Sequence, residues 1–385
     1  MTLLTRRSGL PCLKRFFMLF VFLILIQPAI AQDTSSQEED TAENTTNSLP
    51  LLVPLVDVDA ALSILSESAQ NTEEDTPSVT LRDPEPIAPP PLQQIRIMLD
   101  WYPSPQHAAL LVAEERGYFD REGLDVKLIS PADASVPAKL LAASRVDLAL
   151  SRQPELHRLV DDGAPVVRIG TLIATPLASV LVRSDSEIES ISELAGKTVG
   201  YSMEDNLDPI LDTMLGHHGL HLNDIDPENV NFSLQQSLAT EEVDAIVGNA
   251  RHTVPYQLNQ EGIPTRQFLA EEYGVPRHDG LILMANRDRL ESQRGNFQRL
   301  LVAIEEATLW MVNHPDEAWE LMVAKEPGLD SEANQNAWPE TLRRMALRPS
   351  ALNARRYRHF EQFLHERNNS REKHPVGRLA VDLNS

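Results

Sequence analysis

Cysteine is almost missing from this 385-residue chain, in which Cys12 is the single example. Cys12 precedes the apolar run of an N-terminal leader, so it does not stand where a lipid-modified cysteine would follow cleavage. Once the leader is removed, no cysteine remains. The mature chain therefore excludes disulfides, thiolate nucleophiles and cysteine-ligated metals, and it suits an oxidising envelope compartment.

Basic charge is also scarce. The sequence has 34 Lys and Arg residues against 57 Asp and Glu residues, which gives a formal net charge of -23. No concentrated basic face is apparent in the sequence, so we expect no nucleic-acid partner. A phosphate-cradling glycine loop and a G-x-S-x-G nucleophile turn are missing as well. The 42% of hydrophobic residues suffices for one large domain or two medium ones.

Apolar runs long enough to cross a membrane are not evident. The run "FFMLFVFLILI", residues 16–26, is much shorter than the ~20 residues of a span. Basic residues precede it, and Ala29 and Ala31 follow it at an A-x-A-type cleavage site. This pattern predicts a signal peptide over residues 1–31, export to the periplasm and no membrane insertion after cleavage. An uncleaved anchor is the rival interpretation.

Residues 32–91 differ in composition from the rest of the chain. Acids outnumber bases thirteen to one between Gln32 and Pro90, and prolines gather at the end of this segment. Such a composition predicts a largely disordered acidic linker. The mildly apolar patch Leu49 to Leu65 is expected to be part of this tether, with a short docking helix as the alternative.

From Leu92 onward, strand signals alternate with helix signals. "QQIRIMLDW" predicts a strand with Ile95, Ile97 and Leu99 on one face, Ser104 and Pro105 predict a helix start, and "VNFSL" (residues 230–234) reads as a later strand. Repeated βα units predict an α/β protein with mostly parallel sheets in two lobes. We expect lobe 1 over 92–180 plus 285–370, lobe 2 over 181–284, and a tail over 371–385. The crossovers are expected near 177–182 and 281–285.

The candidate binding residues follow the predicted strands. Ligands of open α/β sheets lie beyond the carboxyl ends of the strands, and five such ends carry aromatic or polar side chains. The predicted ligand is a small, flat heteroaromatic ring, whose faces stack and whose edges accept or donate hydrogen bonds. Trp101 is either a wall of this site or a buried anchor. The predicted ligand-binding residues are Trp101, Tyr102, His107, Gln153, Glu155, Thr175, Tyr201, Glu204, Asn249 and His252.

Two other polar groupings receive simpler interpretations. "GHHGLH", with His217, His218 and His221, is interpreted as an exposed helix end rather than a metal site, because no carboxylate at helical spacing completes a ligand set. The paired acids Asp161-Asp162 and Glu271-Glu272 are interpreted as solvated. We therefore predict no metal, no cofactor and no catalytic residues.

Several of these stretches together carry a family resemblance. "LDWYPSPQHAALLVAEERGYFDREGLDV", "VDLALSRQPEL", "ELAGKTVGYS", "EVDAIVGN" and "EEYGVPRHDGLILMAN" resemble the periplasmic binding proteins that capture thiamine pyrimidine precursors for ABC importers. The eukaryotic pyrimidine-phosphate synthases are relatives of that group. The resemblance, which spans about Gln94 to His365, implies a type II periplasmic-binding-protein fold, a monomer and an ABC permease as partner.

The chain also departs from the pattern that this resemblance implies. The synthase branch has a pyridoxal-phosphate lysine where Ser151 stands, and a cysteine-rich run where Val275 to Asp279 stand. An imine with pyridoxal phosphate needs an amine at this position, and serine has none, so a synthase-type enzyme is disfavoured. The binding proteins have an aromatic residue and a carboxylate where this chain has Ala250 and Val254. A ligand sensor or envelope interaction protein on the same fold therefore stays open as an alternative.

Overall fold

A computed structural model of the chain describes residues 92–248 and 250–384. The predicted leader and linker, and the candidate residue Asn249, lie outside the described residues. Within the described ranges the strands form two five-stranded sheets. The strands are β1 (Gln93–Met98), β2 (Leu124–Ile129), β3 (Leu148–Ser151), β4 (Val166–Ile173), β5 (Ser179–Arg183), β6 (Thr198–Tyr201), β7 (Asp226–Asn229), β8 (Ala245–Val247), β9 (Thr265–Leu269) and β10 (Leu281–Asn286).

The first sheet has the strand order β2-β1-β3-β10-β4. β1 pairs in parallel with β2 and β3, whereas β10 runs antiparallel between β3 and β4. Ile95 and Ile97 point into one apolar cluster and Met98 into another, so apolar residues cover both faces of the sheet. Burial on both faces is what parallel sheets require.

The second sheet has the order β7-β6-β8-β5-β9. The expected strand at residues 230–234 is wrong, because the edge strand is Asp226–Asn229 and a short 3-10 turn, Asn231–Ser233, follows it. All four residues of β7 are exposed, so the strand is held by backbone pairing to β6 and gives no hydrophobic signal. Phe232 lies on the surface that faces the first lobe. Leu234 packs in the core of the second lobe.

Helices cover the two sheets and make up most of the chain after β10. Ser104 caps a short 3-10 turn, Pro105–His107, which leads into the first helix, so the helix start predicted there is confirmed. The helices are α1 (Ala108–Glu115), α2 (Tyr118–Arg121), α3 (Val136–Ala142), α4 (Gln153–Asp161), α5 (Asp212–Gly216), α6 (Leu234–Ala239), α7 (Val254–Gln260), α8 (Leu290–Asn313), α9 (Pro315–Lys325), α10 (Glu332–Leu342), α11 (Ala354–Glu366) and α12 (Val376–Leu379). No helix in the described part of the chain is long and apolar enough to cross a membrane.

Two crossovers connect the sheets, one after β4 over residues 174–178 and one before β10 over residues 270–280. They approach each other closely, because a Cβ on Gly280 would overlap the backbone oxygen of Thr175. Asp279 accepts hydrogen bonds from Thr171 Oγ1 (2.9 Å) and the Tyr357 hydroxyl (3.1 Å), and it pairs with Arg356. The hinge is therefore held by a buried carboxylate.

Helix α11 contacts the cores of both lobes. Tyr357 packs in the cluster beneath the first sheet, while Phe360 and Leu364 pack in the main cluster of the second sheet. His157 on α4 and Glu361 on α11 form a buried pair with 2.5 Å between Nδ1 and Oε2. The helix thus ties the two lobes together behind the hinge, and the predicted two-lobed α/β fold is confirmed.

Candidate functional site

A cavity of about 260 Å³ lies between the two lobes. It is the place where the carboxyl ends of β1 and β3 face the carboxyl end of β8 and the turn after β7. The first lobe and α10 contribute Trp101, Tyr102, Gln106, Arg152 and Asn334, and the second lobe contributes Phe232, Gly248, Ala250, Thr253, Val254 and Gln257. The lining combines aromatic surfaces with amide and guanidinium groups.

Three aromatic rings meet at this cavity. The ring centroids of Trp101 and Phe232 lie 4.4 Å apart in an edge-to-face arrangement, and those of Tyr102 and Phe232 lie 4.9 Å apart. Trp101 also packs against an apolar cluster of the second lobe that includes Leu181 and Leu234. Trp101 is therefore only partly buried, and it both lines the cavity and contacts the second lobe.

Asp100 organises the polar side of the cavity. Its carboxylate lies 2.9 Å from His107 Nε2, 3.3 Å from Arg152 Nη2 and 3.4 Å from Gln106 Nε2. The Ser104 backbone N–H donates to His107 Nδ1 (3.1 Å), so Nε2 carries the proton that points at Asp100. Burial alone would raise the pKa of Asp100, but the His107 hydrogen bond and the Arg152 charge outweigh burial and lower it.

Two polar atoms at this wall have no hydrogen-bond partner among the described residues: Gln106 Oε1 and Arg152 Nε. Both side chains are buried and both line the cavity. Buried polar groups are normally paired, so a buried acceptor and a buried donor left unpaired in two side chains that line one cavity make this wall the candidate place for a polar ligand edge. The remaining Arg152 nitrogen, Nη1, lies 3.1 Å from Met203 Sδ across the cleft.

The floor and one side of the cavity depend on close packing in the second lobe and α10. Gly248 has a φ of +87°, and a Cβ there would stand 2.6 Å from the Asn206 side chain, so glycine is required. Gln257 Nε2 donates to Asn334 Oδ1 (2.9 Å), and the Ala333 N–H donates to Gln260 Oε1 (3.2 Å). These bonds join α7 of the second lobe to α10 and close that side.

The predicted site residues are distributed over several places. Trp101 and Tyr102 line the cavity, whereas His107 lies buried beneath it as a partner of Asp100. Gln153 is wholly buried at the hinge, where its Oε1 accepts from the Asp279 N–H (2.8 Å). Thr175 stands on the first crossover, and its buried Oγ1 has no hydrogen-bond partner among the described residues.

The remaining described candidates lie away from the main cavity lining. Tyr201 is half-buried against the core of the second lobe, and Glu204 is exposed beside a separate surface cavity. His252 lines another cavity, where Arg344 Nε donates to its Nδ1 (3.1 Å). Burial, together with the charges of Arg344 and Arg251, lowers the pKa of His252 to about 3.

Glu155 belongs to a buried group of charges that faces the second lobe. It pairs with Arg158, with 2.7 Å between Oε1 and Nη2. Burial and the nearby carboxylate of Asp205 raise the pKa of Glu155 to about 7. Burial also raises the pKa of Asp205, whose two carboxylate oxygens have no hydrogen-bond partner in the described chain.

Sequence reasoning missed Gln106, Phe232 and Asn334 as cavity residues, and it named Arg152 only within the stretch "VDLALSRQPEL". Gln106 and Arg152 carry a usable signal, because each follows a strand whose carboxyl end faces the cleft. Phe232 carried no such signal, because residues 230–234 were interpreted as a strand. Asn334 comes from a helix more than 180 positions after β3, so only the fold places it there.

The family described as NMT1/THI5 like matches residues 104–318. The chain belongs to the NMT1/THI5-like family. A Haemophilus influenzae protein named for thiamine biosynthesis is 43% identical over 71% of this chain and 87% of its own length. The formylaminopyrimidine-binding protein of Halalkalibacterium halodurans is 34% identical over 65% of this chain and 76% of its own. A 4-amino-5-hydroxymethyl-2-methylpyrimidine phosphate synthase of Saccharomyces cerevisiae is 24% identical over 62% and 73%.

Solved structures extend the comparison to the fold of this NMT1/THI5-like protein. The alkanesulfonate-binding protein of Xanthomonas axonopodis pv. citri superposes with a TM-score of 0.62 and covers 76% of this chain and 99% of its own. Its sequence identity is 16%, so the likeness concerns the fold alone. The fold is that of the periplasmic binding proteins.

Proposed function

We propose that this chain is an exported solute-binding protein that captures a small heteroaromatic compound, of the thiamine-pyrimidine-precursor class, between its two lobes. The observation that carries the proposal is the interlobe cavity, which is lined by aromatic rings and by the side chains of Gln106 and Arg152, whose Oε1 and Nε have no partner within the part of the chain that the structure describes. A relative that is 34% identical carries the name formylaminopyrimidine-binding protein, which supports this ligand class.

Each part of the cavity would act on a different part of such a ligand. The indole of Trp101 offers a face for stacking, and Phe232 offers a second aromatic surface from the opposite lobe. Gln106 Oε1 would accept from a ring amino group, and Arg152 Nε would donate to a ring nitrogen or carbonyl. Because Asp100 fixes the positions of Gln106, His107 and Arg152, the polar edge is preorganised for one ring orientation.

The site supports binding rather than chemical conversion. Ser151 ends β3 and is buried, so no amine stands there to form an imine with pyridoxal phosphate. The carboxylate of Asp100 is engaged by three side chains and is not disposed for proton transfer to a ligand. The bound solute would be released to an ABC permease, the partner implied by the family resemblance.

A ligand sensor on the same fold is the second candidate function. It is favoured by Ala250 and Val254, which both line the cavity and stand where the transport proteins that the chain resembles have an aromatic residue and a carboxylate. Smaller, apolar side chains at these positions change the polar contacts available to a ring. They would suit a ligand with fewer hydrogen-bond donors, or one that is sensed without being transported.

Mass spectrometry of material that co-purifies with the protein, followed by calorimetry with formylaminopyrimidine and 4-amino-5-hydroxymethyl-2-methylpyrimidine, tests the ligand class. We expect saturable binding that Arg152→Ala weakens and that Arg145→Ala, at an exposed arginine on the first lobe, leaves unchanged. Uptake of the same compound, lost when the gene is deleted, separates transport from sensing. A wild-type protein that binds neither pyrimidine would refute the proposed ligand class.

Export is tested independently of the ligand. The leader over residues 1–31 predicts that protein from the envelope fraction begins at Gln32, which N-terminal sequencing measures directly. Recovery of the full-length chain from the cytosol would contradict this part of the proposal.

A further inference from the structure

A second, open cavity of about 520 Å³ lies outside the interlobe cleft. Its lining comes from the second crossover and the first turns of α11: Arg277, Asn353, Arg355, Arg356 and His359. Three of these five residues are arginines and one is a histidine, and none is a carboxylate. In a chain with a net charge of -23, this concentration of basic side chains is a local exception.

We call the cavity lined by these five residues the basic cavity. Most of its positive charges have no acidic partner among the described residues. Arg277, Arg355 and His359 are exposed, and within the described residues none of them has an ion pair or a hydrogen bond. Arg355 and His359 stand four positions apart on α11, a spacing at which like charges repel when the histidine is protonated. Arg356 is the member with a partner, since it pairs with Asp279 and donates to the Ala174 carbonyl (2.8 Å).

The backbone at this place reinforces the positive charge. Helix α11 has thirteen residues, and its first turn lies at the cavity. Asn353 caps the helix by accepting from the Arg356 N–H (3.1 Å), so the N–H groups of earlier residues are left to other partners. The positive end of the helix dipole therefore adds to the guanidinium groups. Guanidinium forks match the oxygens of phosphate two at a time.

We propose that the basic cavity binds a small tetrahedral oxyanion of the phosphate class, either free phosphate or a phosphate monoester. A concave site with side chains from two separate segments suits a compact anion, whereas an anionic membrane would require a broad, flat basic face. The site is separate from the heteroaromatic site, so it stands or falls independently of the proposed function. Its ligand would contact Arg356, which holds both crossovers of the hinge.

Calorimetry and thermal unfolding with inorganic phosphate and with ribose 5-phosphate, each against sodium chloride at equal ionic strength, test the site. The informative variant is Arg277→Ala/Arg355→Ala, in which both substituted residues are exposed and the fold is therefore retained. The matched control is Arg145→Ala/Arg343→Ala, which removes the same charge from exposed arginines outside the cavity. Circular dichroism checks that all proteins are folded.

We expect saturable binding and a raised thermal midpoint for the wild type and the control, with affinity reduced about tenfold or more in the cavity variant. Preference for one of the two compounds identifies free phosphate or a monoester as the source. Equal loss in the control, an equal response to chloride, or no saturable binding by the wild type would overturn the proposal. A different result would point to a membrane surface instead. In that case the wild type binds no phosphate but sediments with phosphatidylglycerol vesicles, and the cavity variant does not sediment with them.

Discussion

At the scale of single residues, the cleft is organised around a carboxylate that lies behind its wall. Asp100 holds His107, Gln106 and Arg152, and the side chains of Gln106 and Arg152 line the cavity and each carry a buried polar atom without a hydrogen-bond partner among the described residues. A residue that orients others is harder to find from sequence than one that touches the ligand, because its partners lie up to fifty-two positions away. Asp100 therefore escaped the sequence prediction although its neighbour Trp101 did not.

Trp101→Ala should weaken ligand binding by ~1–3 kcal/mol, the magnitude of a lost stacking contact. Because Trp101 is only partly buried, we expect the stability loss to stay below the ~3–5 kcal/mol of a core Trp→Ala change. Calorimetric affinity and the thermal midpoint of the free protein measure the two effects separately. Trp310→Ala is the matched control, since Trp310 is also partly buried but packs on His314 and Arg116. Unchanged affinity with a collapsed midpoint would make Trp101 a core anchor.

Arg168 shows how a buried charge can be structural. It is wholly buried and donates to Thr171 Oγ1 (2.8 Å) and to the carbonyls of Pro349 (3.0 Å), Ser350 (3.0 Å) and Ala351 (2.6 Å). Arg168→Met should lower the free energy of unfolding by roughly 3 kcal/mol or more, because several buried acceptors each lose a charged donor. Urea unfolding measures this, with Arg145→Met as an exposed control. A loss as small as that of the control would refute the role.

At the scale of elements, the sequence was sufficient to predict a strand or a helix start where apolar periodicity or a capping residue marks it. The strand around Ile95 and Ile97 and the turn begun by Ser104 and Pro105 are present as predicted. Prediction failed for β7, because an exposed edge strand held by backbone pairing has no apolar face to alternate. That error also hid Phe232, so the aromatic surface of the second lobe was missed.

The contact between α4 of the first lobe and the turn Glu204–Asn206 of the second should make closure pH-dependent. In this structure, in which the two lobes are in contact, burial and Asp205 raise the pKa of Glu155 to about 7, against 4.5 ordinarily. Arg152 and Arg158 oppose this shift by favouring the charged forms. When the lobes separate, Glu155 gains water and loses its proton more easily. The closed form therefore holds the proton on Glu155 more tightly than the open form does. Protonation of Glu155 stabilises the closed form at low pH, and this stabilisation is lost as the pH rises from about 4.5 to about 7.

If the proposed ligand is bound by lobe closure, its affinity should consequently fall across that pH range and level off above it. Glu155→Gln should flatten the fall, and Glu228→Gln, at an exposed acid on the edge strand β7, should leave it in place. Calorimetric titrations at a series of pH values provide the measurement. An unaltered slope in Glu155→Gln would show that another group controls the dependence.

At the scale of the whole molecule, the two lobes touch at several points around the cleft. Asn231 Nδ2 donates to Asp133 Oδ2 (2.6 Å) at the rim near the edge strands β7 and β2, and Gln257 reaches Asn334 on α10. Behind the hinge, α11 joins both cores. Opening must therefore break the rim contacts while the hinge side stays connected, which is the motion of a two-lobed binding protein.

Spin labels at Lys127→Cys and Glu228→Cys, exposed positions on the edge strands β2 and β7, report this motion directly. Without the leader the chain has no native cysteine, so only the introduced positions are labelled. Pulsed electron resonance should show a broad distance distribution for the free protein and a shorter, narrower one with a bound pyrimidine. Asn231→Ala removes the bond to Asp133 and should leave a larger open population at the same ligand concentration. If the ligand binds but the distance between labels does not change, the lobes do not close on their solute, and affinity must come from a rigid cleft instead.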